Sequence, residues 1–274
     1  MVNLDNRQHK RLEEELQAQV RGRGYGTLDK NAKVMDLKEQ RDISISVFFP
    51  CYNEEENVGE LVKKATGVLE NLGADFEVII VNDGSRDSTG EVAEKLAKAN
   101  SRVKVVNHKT NLGYGSALRS GFKAATKELV FFTDGDGQFD IAELSPLINL
   151  MQEYDAVTCY RINRQDNLIR RLNGFFWTSL VCFLFKIKIR DIDCAFKLFK
   201  RKIFDNIELE STGALIDTEI LVRAHRKGYK ITQRGVHHYP RTAGKQTGAK
   251  FRVIFRAFRE LFRFYRKLSR ERYD

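Results

Sequence analysis

Two carboxylates stand one residue apart in Asp134-Gly135-Asp136-Gly137-Gln138, directly after the apolar run Leu129-Val130-Phe131-Phe132-Thr133. A run of this length and β-propensity reads as a buried strand. At its end, Asp134 and Asp136 can face one cation, with small glycines between and after them. Mg²⁺ takes hard oxygen ligands and uses one or two carboxylates together with substrate phosphates. The chemistry suggested is a divalent metal holding a diphosphate at the carboxyl end of a sheet strand. A lone D-x-D is a weak signal, because acidic pairs are common in solvated loops.

The surrounding pattern predicts what positions these residues. Ile43 to Pro50, Glu77 to Asn82, Val103 to Asn107, Leu129 to Thr133 and Ala156 to Tyr160 read as strands. Helices are expected over Glu54 to Leu72, with Asn53 as cap, Ser88 to Asn100, and Gly115 to Thr126. This alternation predicts an α/β fold with a mainly parallel sheet flanked by helices. Ligands of such sheets bind at the carboxyl ends of the strands. Three polar turns fall there: Pro50-Cys51-Tyr52-Asn53-Glu54, Asn82-Asp83-Gly84-Ser85 and the D-x-D. No G-x-G-x-x-G follows the first strand and no G-x-x-x-x-G-K-[ST] is present, which argues against dinucleotide oxidoreductases and P-loop NTPases.

The net charge of +10 is uneven. From Arg241 to Asp274 there are 11 Lys/Arg and 3 Asp/Glu, a net of +8, which leaves +2 for the rest. Within that stretch Phe251, Ile254, Phe255, Phe258, Leu261, Phe262, Tyr265 and Leu268 recur at helical spacing, with arginines between them. The pattern predicts a basic amphipathic helix of the kind that lies in a headgroup layer. Packing on its own domain or on a second subunit is the plainer alternative. The apolar stretch Phe175 to Phe185 is too short to span a bilayer. It reads as a buried or surface-docking helix, with Trp177 as packing or interface anchoring. A three-part organisation is expected: a polar, partly helical leader over 1–40, a catalytic domain over 41–248, and the basic helix over 249–274. Four scattered cysteines without C-x-x-C fit a reducing compartment, and Met1 to Lys10 lacks the apolar core of a signal peptide. With no transmembrane segment expected, the location predicted is cytoplasmic and peripheral to the membrane.

Four ordered motifs, Val47 to Glu55, Val81 to Thr89, Asn111 to Gly115 and Asp134 to Gln138, resemble family 2 glycosyltransferases of the GT-A fold. Within that family the chain looks most like the dolichyl- and polyprenyl-phosphate sugar synthases, over roughly Ile43 to Lys250. The resemblance implies an inverting transfer from a nucleotide sugar. It implies that Pro50, Tyr52 and Glu54 line the base and ribose pocket, with Val81 and Asp83 beside them. It implies that Asp134, Asp136 and Gln138 hold Mg²⁺ or Mn²⁺ on the donor diphosphate. Arg241 and Lys245 would lie near phosphates of donor or acceptor, and Arg161, Arg170 and Arg171 would receive the lipid phosphate. Ala195 departs from a family glycine, and Gly137 replaces a larger residue common in the lipid-phosphate enzymes.

The chemistry agrees. A departing diphosphate develops charge that a divalent metal and Arg/Lys stabilise. A lipid phosphate is already an anionic nucleophile and needs positioning, whereas a sugar hydroxyl needs a base. Asp217 or Glu219 is the candidate for either role. His237-His238 reads as structural or phosphate-proximal, and Asp191-x-Asp193 as a second acidic pair ranked below the first. The leading expectation is hexose transfer from a GDP-mannose or UDP-glucose type donor to a polyprenyl or dolichyl phosphate at a membrane surface. Transfer to a hydroxyl in polysaccharide or glycolipid synthesis, and a non-enzymatic membrane or nucleic-acid binding module, are the alternatives. No nucleic-acid partner is expected under the leading reading, and a homo-oligomer is left open.

Overall fold

The computed structural model describes residues 43–162, 168–241 and 251–271, with the side chains of 168–170 and 251–256 excepted. The leader over 1–40 lies outside the described residues. Among the described residues seven strands form one sheet in the order β3-β2-β1-β4-β6-β5-β7. The strands are β1 (Ser44–Cys51), β2 (Asp75–Asn82), β3 (Val103–Asn107), β4 (Leu129–Thr133), β5 (Ala156–Ile162), β6 (Phe196–Lys200) and β7 (Ile231–His237). The helices are α1 (Val58–Asn71), α2 (Thr89–Ala99), α3 (Tyr114–Ala124), α4 (Ser145–Ile148), α5 (Leu168–Phe185), α6 (Lys202–Asn206), α7 (Ile216–Arg226) and α8 (Phe251–Arg270).

The first four strands in the sheet are parallel. The near-continuous apolar sequences of β1, β2 and β4 follow from burial on both faces; Ile45, Val47, Phe48, Phe49 and Val78 to Val81 have no exposed surface. Strand β6 runs antiparallel to both β4 and β5, and β7 is parallel to β5. The mainly parallel α/β sheet agrees with the sequence reading. Its antiparallel insertion adds what the first five strands did not predict.

Aromatic packing fixes α3 over this sheet. Phe122 meets Phe48 edge-on at 4.9 Å and stacks on Phe204 at 3.8 Å. A Cβ on Gly121 would lie 2.3 Å from the Phe48 ring, so only glycine lets the helix approach β1 so closely. One polar knot lies inside the core. Glu77 accepts from Ser46 Oγ at 2.6 Å, Thr126 N at 2.7 Å and Lys104 Nζ at 2.5 Å. These partners satisfy a carboxylate that burial alone would penalise.

Register brings the functional edge level. Cys51 pairs with Asn82, and Asn82 with Asn107, so the turns after β1, β2 and β3 leave the sheet side by side. Helix α8 packs on the same compact unit as the sheet. Leu261, Phe264 and Leu268 are buried, whereas Phe258, Phe262 and Tyr265 are exposed. The apolar face expected for this helix is therefore divided between core and surface. Among the described residues no helix is long and apolar enough to cross a membrane.

Candidate active site

The turns after β1 and β2 are stitched together by their own polar groups. Asn53 adopts φ 56°, donates its amide to Ser85 Oγ at 3.0 Å, and accepts from Arg86 N at 2.8 Å. The Glu54 amide reaches Thr89 Oγ1 at 2.8 Å, and Glu55 accepts from Ser88 N at 2.8 Å. Asn53 is thus the pivot of a left-handed turn, not a helix cap, and α1 begins four residues later than Glu54, at Val58. Asp83 braces the next loop. It accepts from Leu112 N and Gly113 N, each at 2.9 Å, and lies 2.6 Å from His108 Nδ1. His108 Nε2 lies 2.9 Å from Ser120 Oγ on α3. Asp83 therefore shapes the loop wall, and Val81, with no exposed surface, contributes backbone to this edge. Pro50 and Tyr52 are partly exposed beside the same turns.

The D-x-D turn lies against the end of β1. A Cβ on Gly135 would come 2.8 Å from Cys51 Sγ and 3.0 Å from Pro50 O, so the spacer residue must be small. Gly137 follows at φ 71°, the left-handed region that favours glycine. The Gln138 amide closes on Asp136 Oδ1 at 3.1 Å. Segment 238–241 then crosses over: Tyr239 N donates to Gln138 O at 2.9 Å, and Gln138 Nε2 donates to Tyr239 O at 3.0 Å. This crossing delivers Arg241, which pairs with Glu54 and stands 3.9 Å from Asp136 Oδ2. Glu54, Asp136, Gln138 and Arg241, far apart in sequence, meet at one sheet edge.

Asp134 points inward from that edge. Its Oδ1 is buried without a hydrogen-bond partner. Burial, then Asp136 and Asp217, push its carboxyl up to about 7, against the Tyr114 hydrogen bond and Lys197. Burial, helped by Asp134 and Asp217 at Tyr114 and by Glu54 and Asp134 at Cys51, holds the Tyr114 phenol and the Cys51 thiol well above their ordinary ranges. Among the described residues no set of three His, Cys, Asp or Glu surrounds a common point. The arrangement still suits a hard divalent cation that takes two carboxylates and completes its shell from a diphosphate. An orphaned carboxylate oxygen beside a second carboxylate is stabilised by such an ion.

A second ionic cluster lies behind the first. Lys197, on β6 and fully buried, donates to Asp217 Oδ1 at 2.5 Å and to Cys194 O at 2.6 Å. Burial raises the Asp217 carboxyl, and Lys197 opposes that rise. Arg161 grips Asp191 with both arms of its fork, Nε at 2.7 Å and Nη2 at 2.8 Å. Asp193, between these pairs, is pushed up to about 7 by burial, Asp217 and Asp191. Glu219 is a brace: it accepts from Glu210 N, Ser211 N and Arg223 Nε. That braced loop presses on the start of α3, where Gly115 N donates to Thr212 O at 3.0 Å.

Arg171 is exposed on α5. Lys245 and the side chain of Arg170 lie outside the described residues. His237 Nδ1 is 3.2 Å from Glu143, and His238 packs edge-on against Phe139 at 5.2 Å. Tyr114, Lys197 and His108 carry parts of the site that sequence reasoning assigned no role, and Asp193 is a member of the acidic pair ranked second. Tyr114 stood inside a quoted motif, and the partners of Tyr114 and Lys197, distant in the chain, were the missing information.

The model of "Glycosyl transferase family 2" matches residues 46–208, which contain both turns, the D-x-D and the Arg161–Asp191 and Lys197 elements. The chain belongs to glycosyltransferase family 2. Glycosyltransferase AglD of Haloferax volcanii is 32% identical over 214 residues, 73% of this chain and 34% of AglD. The undecaprenyl-phosphate 4-deoxy-4-formamido-L-arabinose transferase of Salmonella paratyphi A is 29% identical over 215 residues, 77% of this chain and 64% of that enzyme. The chain thus spans about a third of the length of the first relative and under two thirds of the second. Glucosyl-3-phosphoglycerate synthase of Mycobacterium tuberculosis, solved with Mn²⁺, UDP-glucose and phosphoglyceric acid, superposes with a TM-score of 0.67 at 16% identity. The match covers 87% of this chain and 86% of that one. At that identity the likeness shows the fold alone.

Proposed function

We propose that this chain transfers a hexose from a nucleotide sugar to a polyprenyl phosphate, with inversion. The observation that carries the reading is the meeting of Asp134, Asp136, Gln138, Glu54 and Arg241 at one sheet edge, with Asp134 Oδ1 unpartnered. Asp134 and Asp136 would hold Mg²⁺ or Mn²⁺, with Gln138 beside them. When bound, the metal supplies Lewis-acid stabilisation of the leaving diphosphate. Arg241 gives a second, fixed positive charge to that diphosphate and exchanges its carboxylate partners for phosphate oxygens. Pro50, Tyr52 and Glu54 border the base and ribose, and Asp83 holds the loop that closes on them.

The acceptor class is supported by a curated relative whose name specifies an undecaprenyl-phosphate sugar transferase. A phosphate acceptor needs orientation by cations such as Arg171. Arg161, gripped by Asp191, acts by holding the acceptor-side wall. A lipid acceptor places the work at a membrane surface, and four free cysteines fit its cytoplasmic face. One observation favours a hydroxyl acceptor as the second reading: Asp193 and Asp217 stand on this side, and Asp193 is poised to exchange a proton near pH 7.

The test is an assay of the purified chain with Mg²⁺ or Mn²⁺, a short polyprenyl phosphate and a panel of UDP-, GDP- and dTDP-sugars, read by mass spectrometry. A lipid product bearing one hexose is expected. Donor binding or hydrolysis without lipid product shifts the assignment to the hydroxyl acceptor. Failure to bind every donor contradicts both readings.

A further inference from the structure

Among the described residues nine large apolar side chains stand exposed, and seven of them lie on α5 and α8. On α5 they are Leu172, Phe175, Phe176 and Phe183, at 46, 65, 64 and 81% exposure. Their spacing of i, i+3, i+4 and i+11 sets them on one helix face. On α8 they are Phe258, Phe262 and Tyr265, at i, i+4 and i+7. The helices touch along a seam where Trp177 meets Phe258 at 5.4 Å and Phe185 meets Tyr265 at 5.7 Å. The adjoining side of α8, Leu261, Phe264 and Leu268, is buried in the domain.

Beside the α8 aromatics runs a row of exposed arginines, Arg259, Arg263, Arg266 and Arg270, offset from Phe258 by one residue and repeating at the same spacing. We propose that the joined face of α5 and α8 is a docking surface for an anionic lipid bilayer. Aromatic side chains with a flanking cationic row are suited to the boundary between acyl chains and anionic headgroups. A second copy fits less well. A two-fold interface through this patch would bring two arginine rows towards each other.

The surface is fixed to the domain. Arg226 Nη1 donates to Leu268 O at 3.0 Å, Arg223 lies 3.6 Å from Glu271, and Lys267 pairs with Glu210. On the other helix, Ile192 N donates to Thr178 Oγ1 at 3.4 Å, between Asp191 and Asp193. Docking would therefore orient the acceptor side of the site towards the headgroups. This clause rests on the proposed lipid acceptor, whereas the docking itself does not.

The test is co-sedimentation of the full chain with phosphatidylcholine vesicles, with and without phosphatidylglycerol. Binding to the anionic vesicles, weakened by salt, is expected. The double variant Phe183→Ser, Phe262→Ser should lose about tenfold in affinity while keeping its melting temperature. Replacing Arg259, Arg263 and Arg266 by Gln should abolish the preference for phosphatidylglycerol. No vesicle binding, or equal binding by the double variant, would overturn the proposal. Self-association lost in the double variant, with no vesicle binding, would overturn it in favour of a second copy. Nucleotide binding is followed on the same samples. Docking without sugar transfer to polyprenyl phosphate would sink the acceptor assignment and leave this surface standing.

Discussion

The donor edge and the cluster behind it are built from the same materials, carboxylates and cations, and close them to different degrees. Behind the edge, Lys197 meets Asp217 at 2.5 Å and Arg161 takes Asp191 with two arms. At the edge, Arg241 pairs with Glu54 but stands 3.9 Å from Asp136, and Asp134 keeps a buried oxygen with no partner. The closed pairs hold strand ends and loops in place. On the proposed function, the incompletely satisfied carboxylates are where an external cation and a diphosphate would gain most. The difference separates scaffold from site within a few turns of chain.

Removing one member of a closed pair should have the largest effect on stability. Lys197→Met leaves Asp217 buried without its cation and should cost about 3–5 kcal/mol. Adding Asp217→Asn should recover part of the loss in a denaturant titration. A mild effect of Lys197→Met would mean that the pair is not a scaffold element. The donor edge should respond in the opposite way. Asp136→Asn should lower kcat by about 10²–10³ while leaving the melting temperature nearly unchanged. Equal losses of fold and turnover would erase the distinction between the two regions.

Gly135→Ala probes the contact between the edge and β1. The new methyl would press on Cys51 Sγ and Pro50 O, and overpacking of this kind costs about 1–3 kcal/mol. Cys51→Ala should relieve part of it, as measured by thermal melting of the single and double variants. A pH dependence is expected as well. Asp193 titrates at about 7 in the folded chain, against roughly 3.9 in an unfolded one. Between those values the folded state binds more protons, so this group makes stability fall as pH rises through the window. Asp193→Asn should reduce the fall of the melting temperature between about pH 4 and 7, the raised Asp134 carboxyl supplying part of what is left. An unchanged slope would contradict the assignment.

Much of this was legible in the chain. Val103–Asn107 at the part-exposed sheet edge and Leu129–Thr133 in its buried centre both fall where their apolar runs and flanking turns put them. The convergence of three turns followed from the parallel topology. The start of α1 was misjudged because Glu54 O accepts from Asn57 and Val58 in a tight turn, while Asn53 turns left-handed. Glycine is usual there and asparagine tolerates it. The pairings Lys197–Asp217 and Arg161–Asp191 span 20 and 30 residues and depend on an antiparallel β6 that no local signal specified. The apolar face of α8 was visible as a whole. Its division into a buried and an exposed half depends on the neighbouring α5 and α7.

The most direct test of the donor edge is calorimetric titration of UDP, GDP and dTDP into the wild type and Asp136→Asn, with and without Mn²⁺. The account predicts that at least one nucleotide binds the wild type about tenfold or more tightly with Mn²⁺, and that Asp136→Asn loses this enhancement. Nucleotide binding of equal strength with and without metal, in both proteins, would contradict it.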